Sequence, residues 1–269
     1  MRLTASLVLY NNPPLLFEKA MASFLDGSSD GQLFVVDNSP SPLQSDWFAH
    51  PRVRYTHTQR NLGFGAGHNV AIRQLNGDGV HLLLNPDIEF GPEVLPALCE
   101  TMSTSPEIAA LMPRIVYPDG SIQHLCKLLP TPLDLLARRF LPSRALRQKL
   151  DAVYELHRLP QDRPSSVPNL SGCMLLLRTR LLQQIGGFDD RYFMYLEDID
   201  LVRRLGDLGD TRYQPSVRVV HAYAKGSYRN KRLLAYHIAS AVKYFNKWGW
   251  LFDRTRRIRN HDCKQQLVG

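Results

Sequence analysis

Glu197 and Asp198 are adjacent carboxylates that follow the aromatic run Tyr192-Phe193-Met194-Tyr195. Ile199, Leu201, Val202 and Leu205 then recur at helical spacing, so the pair opens a helix. Free backbone N–H groups and the helix dipole favour the ionised carboxylate at such a place. An ionised carboxylate can take the proton of an incoming hydroxyl. Helix capping accounts for acidic residues in a first turn equally well. A third carboxylate, Asp87, closes Asn85-Pro86-Asp87 behind an apolar run. A hard cation such as Mg2+ or Mn2+ on a diphosphate takes an oxygen or two from protein and fills the rest with water. The same tripeptide also serves as a plain turn. His221 ends another apolar run and offers a ring nitrogen, or a merely structural imidazole.

Asn61-Leu62-Gly63-Phe64-Gly65-Ala66-Gly67-His68-Asn69 invites comparison with a dinucleotide fingerprint. Its spacing is GxGxG, with His68 in the sixth position, and it follows a third strand instead of a first. Both facts speak against a nicotinamide-dependent dehydrogenase. The glycines still imply close backbone approach or positive φ where a helix begins. Lys225 and Arg229, just beyond His221, either close over phosphates or stand in solvent.

These residues need a scaffold, and the hydrophobic pattern supplies one. Leu3–Leu9, Gln32–Val36, Val53–Thr56 and His81–Leu84 read as strands, with helices from Pro14 to Phe24 and from Ala66 to Leu75 between them. That alternation predicts an α/β protein with an open, mainly parallel sheet flanked by helices. Ligands in such sheets sit beyond the carboxyl ends of the strands. Tyr10-Asn11-Asn12, Asp37-Asn38 and Asn85-Pro86-Asp87 all fall there. Further on, Leu133–Leu150 reads as an amphipathic helix interrupted at Pro142, and residues 158–168 as a loop. Asn169–Leu177 reads as a strand and Arg180–Ile185 as a short helix. Arg212–Gln214 and Val217–His221 read as two strand-like pieces, and Leu233–Trp248 as a helix.

At 269 residues, with 44% hydrophobic and 22% charged, the chain has an ordinary globular composition. Four dispersed cysteines without a CxxC pair argue against a zinc site or a disulfide framework and suit a reducing cytosol. Leu3–Tyr10 is too short for a secretion signal, and no run reaches the roughly 18 apolar residues of a membrane span. The expectation is a cytoplasmic protein, soluble or peripheral on the inner face of the plasma membrane. Residues 225–269 carry eleven Lys or Arg and two Asp, a net +9, leaving 22 basic against 23 acidic residues elsewhere. No base-reading module accompanies this excess, which argues against nucleic acid. Trp248, Trp250, Leu251 and Phe252 stand beside Arg254, Arg256, Arg257 and Arg259. That mixture predicts a basic tail over 248–269 lying on an anionic membrane, or one that is only solvated or packed on the domain.

Taken in order, Val8-Leu9-Tyr10-Asn11, Val35-Val36-Asp37-Asn38-Ser39, the glycine segment 61–69 and Leu84-Asn85-Pro86-Asp87 resemble motifs of the family 2 glycosyltransferases. Ser171-Gly172-Cys173-Met174, Gly186-Gly187-Phe188-Asp189, Phe193 to Asp200 and His221 continue the resemblance, which runs from about residue 3 to 247 and is strongest to the bacterial rhamnosyltransferase-type branch. It implies a single GT-A domain over 1–247, with a nucleotide-sugar half (1–114) and an acceptor half (115–247), and inversion at the anomeric carbon. It places Tyr10, Asn11, Asp37, Asn38, Asn61, Gly67, His68, Asn69 and Asn85 around the donor nucleotide, with Asp37 facing the pyrimidine. It makes Asp87 and His221 metal ligands and Asp198 the general base beside Glu197. Asn85 departs from the family's strict DxD. The implied donor is dTDP-L-rhamnose, with UDP-hexoses as the alternative, and the implied acceptor a cell-surface glycan or lipid-linked saccharide chosen by residues 125–168. A non-catalytic nucleotide-sugar-binding subunit of a polysaccharide assembly is the competing class. It predicts loss of Asp87 or Asp198, and both are present.

Overall fold

Strands that are apolar on both faces must be covered on both faces, and the first hundred residues follow that rule. In the computed structural model, which describes residues 1–137, 143–222 and 231–267, β1 (Leu3–Leu9) and β4 (Val80–Leu84) are buried almost throughout. β2 (Gln32–Asp37) and β3 (Val53–His57) run parallel beside β1. On one face α1 (Pro14–Asp26) packs Phe17, Met21 and Phe24 against Leu7 and Leu33. On the other, α2 (Phe64–Ile72) lays Ala71 and Ile72 on Phe34 and Leu83.

Short β5 (Ile88–Glu89), α3 (Val94–Thr104) and β6 (Ile108–Val116) follow, then α4 (Arg144–Tyr154) and β7 (Ser165–Ser166). β8 (Met174–Arg178), α5 (Thr179–Gln184), α6 (Glu197–Leu205) and β9 (Asp210–His221) complete the sheet region. The sheet order is β3-β2-β1-β4-β8-β6-β9-β5, with β7 also on β9. β8 enters antiparallel between β4 and β6, while β6 and β9 are parallel. The result is a GT-A-type α/β sheet, parallel on its nucleotide side and mixed beyond β4.

Several elements differ from expectation. The strand expected over 169–177 begins only at Met174, because Asn169–Cys173 turns across the sheet end instead of pairing along it. The two pieces near 212–221 are one strand, bulged against β6 where Pro215 cannot donate to a ladder. The amphipathic helix is a π-type turn at Leu133–Ala137 and then α4, capped by Ser143; residues 138–142 lie outside those described. α3 and β6 carried no expectation at all.

The largest difference is at the C-terminus. α7 (Lys231–Trp248) is followed by α8 (Arg254–Gln265), which docks on the body instead of trailing from it. The Asp253 carboxylate caps α8 and accepts two hydrogen bonds of 2.7 Å from the Arg203 guanidinium, which is 2% exposed. The Asn260 amide exchanges bonds with the backbone of Leu129, and Cys263 is buried. Arg256 is buried, Arg259 pairs with Asp207, and Trp248 is turned inward beneath the Arg203 guanidinium. Only part of the expected interfacial set therefore reaches solvent.

Candidate active site

Ser171-Gly172-Cys173 stitches the two halves of the site together. The Cys173 carbonyl accepts from Asn85 N–H at the end of β4, and Gly172 N–H donates to Asp198 Oδ2 at 3.1 Å. A Cβ on Gly172 would lie 3.1 Å from that of Asp198, so glycine permits the approach. Burial pushes the Cys173 thiol up to about 12, with the charges of Asp87 and Asp198 adding to it and a Ser171 hydrogen bond opposing. Asp87 and Asp198, 111 positions apart in the chain, thus flank one short segment.

The carboxylate pair is held under strain. Tyr195 and Leu196 both take left-handed backbone, with φ of 70° and 64°, as the chain swings into α6. Two consecutive non-glycine residues there cost on the order of 1–3 kcal/mol each, a cost that persists only where surroundings fix it. Asp200 provides that fixation, accepting from Trp248 Nε1 and Arg204 and pairing with Lys247 at 2.6 Å. Asp198 accepts from Gly172 and Ile199 N–H groups and borders a cavity of about 310 Å3 with Lys127, Glu155, Asn169, Tyr195 and His237.

The expectation that helix N–H groups keep both carboxylates ionised needs correcting. Glu197 is 5% exposed, and burial, followed by the neighbouring Asp198 charge, pushes it up to about 8. Asp198 is raised by burial as well, against the Gly172 and Ile199 hydrogen bonds and the Lys127 charge. Burial and the like charge beside it thus favour the protonated form of Glu197.

At the cation side, Asp87 Oδ1 lies 3.2 Å from His221 Nε2. Two ligands at about 2.1 Å from one ion on adjacent octahedral corners are about 3 Å apart, so the pair fits a shared Mg2+ or Mn2+. Asn85 Oδ1 is also enclosed with no hydrogen-bond donor. Among the described residues no cluster of three His, Cys, Asp or Glu could hold a metal, which suits an ion completed by diphosphate and water. Sequence reasoning missed Gln123, which donates to the His221 carbonyl at 2.8 Å and turns its amide oxygen to His221 Nδ1 at 2.9 Å. That carbonyl only accepts, which fixes the amide orientation and makes Nδ1 the protonated nitrogen. That leaves Nε2 as the nitrogen that faces Asp87. Only a packed structure reveals this, because 98 positions separate the partners.

The expected donor residues divide into two groups. Tyr10 is 48% exposed and Asn11 stands beside it in left-handed backbone, both at the carboxyl end of β1. Asn61 is half-buried, its carboxamide closing the turn to Gly63 N–H. These, with Asn85, remain open to a ligand. The others are enclosed. Asp37 is wholly buried: its oxygens accept from Ser39 N–H, Leu43 N–H and the Tyr55 hydroxyl. Burial alone would raise its carboxyl; these hydrogen bonds outweigh it and hold the group below the usual range. Asp37 therefore shapes the loop after β2.

Asn38 ties Thr58 to the Gly63 carbonyl, and Asn69 clasps Phe188 and Asp190. Gly67 lets α2 approach Val8, where a Cβ would meet a methyl at 2.8 Å. His68 is a core residue, packed against Phe64 and Phe188 and bonded through Ser6 to His81. Burial drives both imidazoles down to about 3, so they are neutral. The glycine segment is thus largely a helix-to-sheet packing device. Lys225 and Arg229 lie outside the described residues.

A family model described as glycosyl transferase family 2 matches residues 8–186. The N-acetylglucosaminyl-diphospho-decaprenol L-rhamnosyltransferase of Mycobacterium tuberculosis is 37% identical over 79% of this chain and 76% of its own length. The low-salt glycan biosynthesis hexosyltransferase Agl10 of Haloferax volcanii is 30% identical, over 66% of this chain and 54% of its own. Among solved structures, GalNAc-T7 with UDP, GalNAc and Mn2+ superposes with a TM-score of 0.61 at 12% identity, covering 93% of this chain. This chain spans half the length of that structure. The mannosyltransferase PcManGT from Pyrobaculum calidifontis, in complex with GDP-Man and Mn2+, gives 0.57 at 17% identity, covering 90% of this chain and 64% of its own. The sheet order, the paired carboxylate positions and these likenesses converge: the chain belongs to glycosyl transferase family 2, as a rhamnosyltransferase-like enzyme with a GT-A fold.

Proposed function

We propose that this enzyme transfers a sugar, L-rhamnose from dTDP-L-rhamnose, with inversion onto a hydroxyl of a lipid-linked or cell-envelope glycan at the inner membrane face. The observation carrying the mechanism is that Asp198, beside a Glu197 whose carboxyl is pushed up by burial, opens on a 310 Å3 cavity while Asp87 lies just across Gly172-Cys173. The acceptor sugar occupies the cavity. Its hydroxyl oxygen bonds to the anomeric carbon, the carbon–oxygen bond to the diphosphate breaks with its electron pair, and Asp198 takes the proton. A Mg2+ or Mn2+ ion held by Asp87 and His221, when bound, supplies Lewis-acid stabilisation to the leaving diphosphate. Tyr10 offers the base a stacking face, with Asn11 and Asn61 nearby.

The donor choice rests on the 37% identical relative's name and on this chain's match to it. That relative's name also supports a diphospho-polyprenol type of acceptor. Among the described residues, no helix is long and apolar enough to cross a membrane, so such an acceptor is met at a surface. A panel of nucleotide sugars with Mn2+, read by thermal shift and donor hydrolysis, tests the donor. dTDP-L-rhamnose is expected to give the largest response, abolished by EDTA; a UDP-hexose giving it instead assigns the alternative donor. Stabilisation by donors without turnover on any acceptor would point to the non-catalytic subunit.

Gln123→Leu is expected to weaken Mn2+ binding roughly 10–100-fold, measured by the ion's paramagnetic resonance in the presence of a nucleoside diphosphate, because outer partners orient metal-binding imidazoles. Nucleoside binding without metal is expected to stay unchanged. Equal Mn2+ affinity in the variant would remove Gln123 from this role.

A further inference from the structure

Beyond Trp248 the chain presents the most exposed large side chains of its C-terminal part, Leu251 at 76% and Phe252 at 89%. They are not on a loose tail. Gly249 turns the chain at φ 100°, and Trp250 rests on Phe245 at 5.1 Å with its indole N–H on Asn246. Asp253 is fixed by Arg203 immediately afterwards. The Arg256 guanidinium reaches back to the carbonyls of Gly249, Trp250 and Leu251. The turn thus carries its apolar tips on a rigid base, with backbone oxygens already satisfied, which lowers the cost of moving them out of water.

α7 extends the same surface. Ala235, Ile238, Ala239 and Val242 recur at helical spacing along its exposed side, while Ser240, Ala241, Tyr244 and Phe245 face inward. From Lys231 to Phe252 there is no Asp or Glu. Exposed Lys231, Lys243, Arg254 and Arg257 border the stripe. An apolar stripe with a projecting Leu-Phe tip, in a segment that carries cations and no acid, is the chemistry of a helix lying in an anionic lipid interface.

We infer that the outer face of α7 and the 249–252 turn form a rigid membrane-docking surface for anionic lipid headgroups, with Leu251 and Phe252 entering the acyl boundary. The inference deepens the membrane-surface reading above by naming what docks. It also gives α7 two faces: His237 borders the acceptor cavity while Ile238 and Val242 look outward. Docking then holds the cavity at a fixed height and tilt over the lipid plane, where a lipid-linked saccharide presents its sugar.

Flotation with vesicles of phosphatidylglycerol and phosphatidylcholine, free of any acceptor, tests the surface. The parent is expected to float at low salt and less at high salt, and brominated lipid to quench tryptophan emission. The double variant Leu251→Ser/Phe252→Ser is expected to bind at least roughly tenfold more weakly, since two large apolar side chains no longer insert. Both residues are exposed, so its transfer to a soluble acceptor analogue is expected within about twofold of the parent. A parent that never floats, or a double variant that floats equally, overturns the proposal. So does a parent dimer that the double variant breaks, which gives the surface to a second copy. Failure of the transfer reading shows separately, as no turnover by a parent that floats.

Discussion

Asp198→Asn is expected to lower turnover roughly 10²–10⁴-fold, the usual contribution of a positioned base, while leaving the melting temperature and nucleotide affinity near those of the parent. The amide keeps an oxygen for Gly172 and Ile199 N–H groups, so α6 stays in place. What it loses is a group that can take a proton. Glu197→Gln is expected to behave differently, because Glu197 is buried and already carries its proton. It should retain far more activity and gain stability in alkali. The sign follows from linkage: a carboxyl whose folded pKa is raised to about 8 from its ordinary value of 4.5 contributes stability below the lower value. That contribution is lost as pH rises through the upper one. Steady-state rates and melting curves from about pH 5 to pH 9 check both variants. The parent's acid limb should lie above the ordinary aspartate range, since burial raises Asp198 too. A Glu197→Gln enzyme that is dead beside an active Asp198→Asn would reverse the assignment.

The second large effect is on stability. Asp253→Ala is expected to destabilise the protein by about 3–5 kcal/mol, because it strands the Arg203 guanidinium in a site where both partners are nearly inaccessible. It also removes the cap of α8, which contributes about 1 kcal/mol more. Denaturant unfolding measures the loss. Arg203→Met with Asp253→Leu, which removes both charges, should recover part of it. A single-variant loss below about 1 kcal/mol would show that α8 contributes little to the fold. The same contacts make truncation after Trp248 a poor probe of membrane binding, since it removes a structural brace along with the basic residues.

The nucleotide half was legible because period and punctuation agree there: buried strands end at polar turns, and Asn85-Pro86-Asp87 falls where the pattern requires. The carboxylate pair was legible as a helix start, but its burial was not. Sequence shows two carboxylates near free N–H groups and says nothing of how little water reaches Glu197. Asp37, His68 and Asn69 illustrate the same gap. Polar side chains at strand ends and helix starts show their internal partners only once packed, and here those partners are Tyr55, Ser6 and Phe188. Gln123 and Asp200 were illegible for a different reason, since each acts only through distant chain neighbours. The C-terminus misled through composition. A run rich in arginine reads as a tail, although a single aspartate at 253 is enough to tie it down.

Because β8 is the partner that covers β4 on its far edge, the ribosome delivers Val80–Leu84 about ninety residues before Met174–Arg178 can pair with it. Through that interval a nascent chain carries the unpaired edge of a largely apolar strand, the kind of edge that recruits other strands or holdase chaperones. A fragment ending near residue 114, which lacks β8, is therefore expected to be recovered as aggregate, as its solubility on expression would show.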